Sequence, residues 1–386
     1  MATRKNSSRH GRSGDPRKRA AEEEARRQAE ATPELEDEVA AALESGHPVD
    51  IVMLASSLIA GLDPDAQPPG EEATGELPQP AEFVRMFVDA GDPRLQVLAW
   101  TVARLLPDSR LQHDVDAALS PGTVPSWLLP LADAEAVAAW QTVDPLRDST
   151  DIVLSLRVGE ADLTVIGLVD LNADGALKDG FVVPAPLTEV QEALGASGET
   201  GMETWDLAPA DARTWLSEAL AVGRAVDPPF ESDSWPQARP LVEWAIGLCP
   251  PGGSGWQRRE WSSADIEALV ADFAGSPEGV VVADRADRNV LVDALHGIAA
   301  ETSADPALIS AVRLELGLVY LWPTTLHHDL DRLLGLPETL EPFVRWAHAR
   351  RGIPADDTDQ ALAAIAHFRA PYVRDVAEVN ASDDGS

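Results

Sequence analysis

Apolar residues recur at helical spacing through the first third of the chain. Leu35, Val39 and Leu43 lie four residues apart, after a proline suited to the first turn of a helix and before a glycine that favours its end. Comparable patterns predict further helices near residues 48–60, 81–90, 94–106 and 109–119. We therefore predict that residues 33–135 form a helical region.

Near residue 150 the pattern changes from helical spacing to alternation. Ile152, Leu154 and Leu156 occupy every second position, which is the period of a strand with one buried face. Two further apolar segments predict a second and a third strand, and one earlier segment can add a fourth. The second strand is predicted at residues 163–170, the third at residues 181–183, and the possible fourth at residues 138–143.

The connections between the three consecutive strands are too short to hold a crossover helix, which indicates antiparallel pairing. Three strands are barely stable alone, so we expect helices to cover the sheet. Helical patterns near residues 187–194, 209–222 and 236–248 can provide them. Residues 136–250 are therefore predicted to form an α+β region with a β-meander of three or four strands.

Residues 249–255, Cys-Pro-Pro-Gly-Gly-Ser-Gly, interrupt the helical pattern, which returns beyond them. Residues 256–380 are predicted to form a C-terminal helical bundle. We predict disorder for residues 381–386 and for residues 1–32, which have no large apolar residue after Met1. The predicted fold class is α+β and mostly helical, with a small antiparallel β-meander covered by helices and flanked by a helical N-terminal region and a C-terminal bundle.

The chain is strongly acidic, but its charge is unevenly distributed. The 386 residues carry a formal net charge of −35. Seven basic residues against Asp15 alone give residues 1–19 a net charge of +6, so the remainder carries −41. Such an acidic body repels nucleic-acid backbones and anionic membranes. We therefore predict no membrane contact, and contact with a nucleic acid or an acidic partner only through the basic tail at residues 1–32.

Cysteine content and hydropathy indicate the compartment. A single cysteine, Cys249, excludes an internal disulfide and fits a reducing environment. The sequence has no run of 18 apolar residues, and its basic N-terminus is followed by charged residues rather than by the apolar core of a secretory signal. These features predict a cytoplasmic protein. The 27 arginines against three lysines suggest a high-GC bacterial genome.

The last of the three lysines lies among carboxylates in a predicted loop at residues 170–181. An ammonium group is a compact charge that can lose its proton when buried, unlike the permanently charged guanidinium. Asp170, Asn172, Lys178 and Asp179 are therefore the candidate ligand-binding residues, for a phosphorylated or carboxylated small molecule held by the lysine. The competing hypothesis is that they only fix a hairpin between two strands.

Two kinds of metal-assisted chemistry are weighed for the same loop. Asp170, Asn172 and Asp174, followed by glycine, match the first half of a calcium loop, but Lys178 and Phe181 stand where its later ligands belong. An aspartyl-phosphate site would use Asp170 as nucleophile, but that layout usually needs a parallel sheet with crossovers. Neither is favoured, and no metal or cofactor is predicted.

Outside this loop, two weaker candidates stand out. His327 and Asp331 lie one helical turn apart, a spacing that can hold a metal, but two ligands are not a complete site. Cys249 would need a basic partner to act as a nucleophile, and the sequence indicates none. The preferred interpretation is that His327 and Asp331 are surface residues of a helix and that the Cys249 thiol is inert.

Tryptophan is unusually abundant, with 11 residues against two tyrosines. Aromatic clusters can line a ligand or peptide groove, although they more often fill the core between helices. Core packing is the preferred interpretation of this cluster. Its members are Trp205, Trp215, Trp235, Trp244, Trp256 and Trp261.

Two segments of this chain resemble a family of uncharacterised proteins from high-GC Gram-positive bacteria. One is the loop with Asp170, Asn172, Gly175, Lys178, Asp179 and Phe181, and the other is Val-Arg-Trp-Ala-His-Ala-Arg-Arg-Gly-Ile-Pro at residues 344–354. The chain has Leu171 where the family pattern has histidine, which removes a general base, and Asp174 where it has glycine, which weakens the calcium hypothesis. The resemblance implies candidate positions and no established activity.

Phosphate-binding glycine loops, nucleophile elbows and paired-cysteine metal motifs are all absent from the sequence. The first functional hypothesis is therefore a non-catalytic cytoplasmic interaction or regulatory protein with an unknown protein partner. The alternative is an enzyme or a small-anion-binding protein whose site is the loop at residues 170–181.

Overall fold

The computed structural model describes residues 35–63, 77–196, 201–226, 234–282, 284–302 and 304–383. The predicted disordered tail at residues 1–32 lies outside the described residues. Of the second segment predicted to be disordered, residues 381–383 belong to the last helix and residues 384–386 are outside the described part.

Helices form the N-terminal region, and their first turns carry the local signals seen in the sequence. Three of them begin with proline, whose missing N–H is not needed in a first turn. The side chain of Asp92 accepts a hydrogen bond from the Arg94 N–H at 2.8 Å and caps one of them. In chain order the helices are α1 (Leu35–Glu44), α2 (Pro48–Gly61), α3 (Pro80–Asp89), α4 (Pro93–Leu105) and α5 (Ser109–Ala118).

One antiparallel sheet follows, in the spatial order β4-β3-β2-β1-β5. The expected meander is confirmed, but the sheet has five strands rather than three or four. The missed strand is β5, a short and largely exposed segment that lacks the alternation of buried and exposed residues from which strands are predicted. The strands are β1 (Glu135–Val143), β2 (Ser149–Val158), β3 (Ala161–Asp170), β4 (Ala176–Val183) and β5 (Glu203–Leu207).

The β3–β4 connection is much shorter than the predicted loop. Strand β4 begins at Ala176 rather than near residue 181, because Ala176 and Leu177 already pair with the end of β3. Lys178 is an extra residue in this ladder, since Leu168 pairs with Asp179 and the next residue pairs with Leu177. Such a bulge redirects the side chain of the inserted residue.

Helices cover both faces of the sheet. On one face, α7 (Pro209–Ala225) and α8 (Trp235–Leu248) pack on the strands together with the N-terminal helices. On the other face, α6 (Leu187–Ala196) packs on β3, near a small cluster that contains Trp140 and Val153. The two-residue period of the strands divides these faces, as in β2, where Ile152 and Leu154 belong to the first.

The C-terminal bundle contains the remaining helices. Residues Glu278–Val282 form a 3-10 turn. One helix of the bundle begins at Ala311 and continues as a π-helix, Leu316–Leu321. The α-helices are α9 (Ser263–Ala274), α10 (Arg285–Thr302), α11 (Ala311–Glu315), α12 (Trp322–Thr325), α13 (Leu330–Leu334), α14 (Leu336–Arg351) and α15 (Ala355–Asp383).

Two large hydrophobic cores divide the molecule. The first joins the N-terminal helices to the sheet and to α7 and α8, and its buried members extend from Val39 to Cys249. The second belongs to the C-terminal bundle, with buried members from Ile266 to Val376. Of the four candidate residues, Asn172 is the one that bonds to a residue of the C-terminal bundle. Among the described residues, no helix combines the length and apolar character needed to cross a bilayer.

Candidate functional site

The loop singled out by the sequence is a tight, internally bonded turn. Asp174 and Gly175 both have positive φ, of 57° and 74°, and reverse the chain between β3 and β4. The carboxylate of Asp170 accepts a hydrogen bond from the Asn172 N–H at 2.9 Å and pairs with the Lys178 Nζ at 3.0 Å. Lys178 retains 36% of its side-chain exposure, so this pair lies at the surface and is weakly stabilising.

The side chain of Asn172 is directed toward the C-terminal bundle. Its Nδ2 donates to Asp148 Oδ1 at 2.8 Å, and its Oδ1 accepts from Arg313 Nε at 2.8 Å. Asn172 therefore connects the sheet to a helix that lies 141 residues further along the chain.

Asp179 has different partners again. It accepts hydrogen bonds from the Gly180 N–H at 2.8 Å and from the Ser234 hydroxyl at 3.3 Å, next to the start of α8. The structure thus joins Asp170 to Lys178 but gives Asn172 and Asp179 separate environments. Ligand binding by these four residues stays a prediction.

Arg313 is the residue that sequence reasoning missed. Its side chain is 1% exposed, in α11, and its guanidinium lies 3.3 Å from Asp148 Oδ1 in addition to its bond with Asn172. Its remaining donors bind three main-chain carbonyl oxygens, those of Leu146, Arg147 and Leu308. A buried cation is tolerated only when it is paired and hydrogen-bonded in this way. We call Arg313, Asp148, Asn172 and Ser310 the polar junction.

Asp148 is the anionic member of the polar junction. Ser310 donates to its carboxylate at 2.8 Å, beside the Asn172 and Arg313 contacts. Burial raises the pKa of Asp148 above its ordinary value, although Arg313 and the two hydrogen bonds oppose that shift. Asn172 is the one member of this cluster that the sequence singled out, and nothing in the sequence indicates its distant partners Asp148 and Arg313.

Beside the polar junction is a cleft of about 480 Å³, which we call the Trp cleft. Residues of β1 and β5 form one wall, α7 another, and the segment after α8 a third, while the chain between α10 and α11 closes the remaining side. The four tryptophans that line it are Trp205, Trp215, Trp256 and Trp261. Trp235 and Trp244 lie in the first core. Trp215, Trp256 and Trp261 pack against the cores and also line the cleft, so the core and groove interpretations both apply to them.

Side chains in the first turns of α7 hold the segment that follows α8 against that helix. Arg213 donates to the Cys249 carbonyl at 2.5 Å, and the Thr214 hydroxyl donates to the Gly252 carbonyl at 3.1 Å. Asp211 accepts from the Ser254 N–H at 2.6 Å. The glycine-rich sequence that interrupts the helical pattern is therefore a fixed wall of the Trp cleft rather than a free linker.

The turn between β3 and β4 supports this wall. A Cβ atom on Gly175 would lie 2.7 Å from the ring of Trp256, so only glycine allows the contact. Asp174 accepts from Arg258 at 2.6 Å, and the Trp256 ring lies nearly parallel to Trp215, at 5° with centroids 6.4 Å apart. The loop at residues 170–181 thus positions an aromatic side chain of the Trp cleft.

Two polar atoms of the Trp cleft residues lack partners. Within the part of the chain that the structure describes, the indole Nε1 atoms of Trp215 and Trp261 are buried and have no hydrogen-bond acceptor. A buried donor without an acceptor costs about 1–3 kcal/mol. Native proteins satisfy most such groups. Both atoms are shielded from the open volume of the cleft, so a ligand acceptor would reach them only after the indole rings move.

The weaker sequence candidates are His327 with Asp331, and Cys249. His327 and Asp331 are both exposed, and His327 precedes the helix that begins at Leu330, so the predicted spacing of one helical turn is wrong. The neighbouring His328 pairs with Asp293 at 2.7 Å, and no three His, Cys, Asp or Glu side chains among the described residues are grouped in a way that could hold a metal ion. Burial raises the pKa of the Cys249 thiol to about 11, so the thiol is protonated at neutral pH and is a poor nucleophile.

Comparison with protein-family models, curated proteins and solved structures finds no match for this chain. The resemblance carried by the loop and by residues 344–354 stays a prediction.

Proposed function

We propose that this protein is a non-catalytic interaction or regulatory protein of the cytoplasm that binds a ligand in the Trp cleft. The observation that carries the proposal is the grouping of four tryptophans around one concave volume, two of them with buried indole N–H groups that lack an acceptor within the described residues. Ligand sites are typically concave, largely aromatic or apolar, and supplied with a few polar groups.

The position of the Trp cleft favours a regulatory role. Its walls come from the sheet, from α7 and from the chain that leads into α11, and Arg313 of the polar junction also lines it. A ligand there would contact side chains attached to both hydrophobic cores. Binding would therefore stabilise one relative arrangement of the two halves, which is how a bound molecule changes the surface offered to a partner.

The alternative, catalysis or small-anion binding at the loop, has less support. Asp170, Asn172 and Asp179 all form hydrogen bonds with protein atoms, and a reacting group would have to displace them. The side chain of Lys178 is 36% exposed, against 20% for its partner Asp170. Replacing Lys178 with arginine keeps the charge and removes the ammonium, which is the variant that tests this alternative.

The basic tail is proposed to contact an acidic partner or a nucleic acid, because it carries the only strongly positive stretch of an acidic sequence. Deleting residues 1–32 is expected to remove at least one partner from a pull-down at moderate salt. An unchanged set of partners would contradict this part of the proposal and leave the Trp cleft unaffected.

Thermal unfolding with a library of metabolites tests the main proposal. A ligand at about 100 times its Kd adds about 2.7 kcal/mol to the free energy of unfolding and raises Tm. The variant Trp205→Ala should lose this shift, because Trp205 lines the Trp cleft and, at 40% exposure, is not needed for the core.

Tyr320→Ala is the matched control, since Tyr320 is a 66% exposed aromatic residue that does not line the Trp cleft. It should respond to the ligand as the unaltered protein does. Ligands that stabilise Trp205→Ala fully, or a library without any stabilising compound, would contradict the proposed site.

A further inference from the structure

We propose that the Trp cleft selects planar aromatic carboxylates. This inference rests on the proposed function and adds the chemical class of the ligand. Arg259 would hold the carboxylate, and the tryptophan rings would hold the aromatic part.

Arg259 is the cation most available to a ligand. Its guanidinium carbon lies 3.7 Å from the centroid of the Trp261 ring, and within the described residues it forms no ion pair within 4 Å, although its charge helps to lower the pKa of Asp265. The neighbouring Arg258 is already paired with Asp174 at 2.6 Å. A guanidinium stacked on an indole keeps its edge free, and that edge matches two carboxylate oxygens.

The carboxylates of the Trp cleft are already engaged. Asp211 accepts from the Ser254 N–H at 2.6 Å. Asp305 pairs with Arg351 at 2.7 Å and accepts from the Ala307 N–H at 2.9 Å. Asp305 is thus paired with a cation and Asp211 is hydrogen-bonded to the main chain, whereas the guanidinium edge of Arg259 forms no close ion pair among the described residues.

The aromatic walls favour a flat ligand. The Trp215 and Trp256 rings are parallel within 5°, and Trp205 exposes 40% of its surface near them. Aromatic side chains bind flat rings through their faces and edges. A saturated or highly branched anion of the same charge would contact these faces poorly.

The unpaired indole groups favour an acceptor in the ligand. Trp215 and Trp261 each have an Nε1–H donor without an acceptor among the described residues, and carboxylate oxygens are acceptors only. Both atoms are shielded from solvent, so the contact requires a rotation of the indole ring. Ligand binding should therefore change the near-ultraviolet circular dichroism of the protein as well as its stability.

The test uses the full chain and titration calorimetry with 1-naphthoate, indole-3-acetate and 4-hydroxybenzoate, each beside its neutral amide. The carboxylates should bind more tightly than their amides. In Arg259→Gln the carboxylate affinity should fall about tenfold, which corresponds to about 1.4 kcal/mol, while affinity for the amides stays within twofold. Arg259 is exposed, so this variant is expected to fold.

Arg350→Gln is the matched control, because Arg350 also stacks on a tryptophan, Trp346, at 5.0 Å, outside the Trp cleft. It should leave both series of affinities unchanged. Amides that bind as tightly as the acids, with both lost in Trp205→Ala, would overturn the selection of anions and leave the proposed function intact. Binding of no library or panel compound in a Trp205-dependent manner would overturn both.

Discussion

The loop at residues 170–181 and the Trp cleft differ in how their polar groups are used. In the loop, Asp170, Asn172 and Asp179 are bonded to neighbouring protein atoms, and Lys178 is paired at the surface. In the cleft, indole donors lack acceptors within the described residues, and Arg259 is stacked on a ring without an ion pair. The polar groups of a conspicuous charged cluster can thus be satisfied entirely by protein atoms. The Trp cleft instead has aromatic faces and a guanidinium group that a ligand can contact.

Among these groups of residues, the polar junction is expected to contribute most to the free energy of unfolding. Arg313→Met should lower the free energy of unfolding by about 3 kcal/mol, because it leaves the partly buried Asp148, 25% exposed, without its cation and three carbonyl oxygens without their donor. Chemical denaturation measures this. The double variant Arg313→Met with Asp148→Leu should recover part of the loss, since no buried charge then remains unpaired.

Arg351→Met is the control for that experiment, as Arg351 forms a partly exposed pair with Asp305 on the same bundle. Its cost should be at most about 1 kcal/mol. Equal losses in Arg313→Met and Arg351→Met would show that the polar junction does not hold the two halves together.

Gly175→Ala tests whether the loop supports the Trp cleft. The new Cβ would meet the Trp256 ring at 2.7 Å in a backbone of positive φ. Gly91→Ala has the same φ of 74° with nothing within 4 Å, so it isolates the backbone cost of about 1–2 kcal/mol.

Gly175→Ala should cost about 1–3 kcal/mol more than Gly91→Ala, and it alone should weaken any ligand of the Trp cleft. Thermal or chemical unfolding and titration calorimetry check the two effects. Equal stability of the two variants, with unchanged ligand affinity, would show that the loop does not support the Trp cleft.

The pH dependence of stability should report on His348, behind the polar junction. Its ring bonds to the Ile309 carbonyl at 3.1 Å and to the Thr358 hydroxyl at 3.0 Å, and burial lowers its pKa below the ordinary value. As pH falls below about 6.5, the unfolded state takes up this proton first. Stability is therefore present above that pH and lost as pH falls toward the folded-state pKa.

The expected slope from this one group is up to about 1.4 kcal/mol per pH unit. His348→Gln should remove that part of the slope between pH 7.5 and 5.5 in chemical denaturation. His113→Gln, at an exposed position, is the control and should retain it. An unchanged slope in His348→Gln would contradict the burial of a neutral imidazole.

The smallest effect is expected at Lys178. Lys178→Met removes an exposed pair with Asp170 and should lower the free energy of unfolding by about 0.2–1 kcal/mol, without loss of ligand binding in the Trp cleft. Calorimetry with the ligand found in the library screen checks the second point. Loss of binding in both Lys178→Met and Lys178→Arg would move the site to the loop and reverse the comparison.

Local signals were sufficient for most of the secondary structure. Two helices that begin with proline, at Pro48 and Pro93, are present where helices are predicted. The change from helical spacing to alternation near residue 150 corresponds to strand β2. Strand β5 could not be predicted, because it pairs with β1 along one edge and has no buried face of its own. The bulge at Lys178 was equally hidden, since pairing register depends on the neighbouring strand.

The candidate site shows the same limit. The sequence singled out Lys178 by its rarity and Trp205, Trp215, Trp256 and Trp261 by their number, but it favoured the core for the tryptophans. Arg313 was one of 27 arginines and carried no signal of its own. Its partners Asp148 and Asn172 precede it by more than 100 residues, and contacts across such separations leave no local pattern.

The sequence by itself determined the helical and strand periods, the α+β class, the acidic body and the basic tail, because each depends on neighbouring residues or on composition. Only the tertiary structure decided which polar groups are satisfied, which tryptophans are buried, and that the loop supports a cleft between two cores. Hydrogen bonding and burial are set by residues that meet only after folding, so the function of a charged or aromatic side chain depends on partners that sequence neighbours do not reveal.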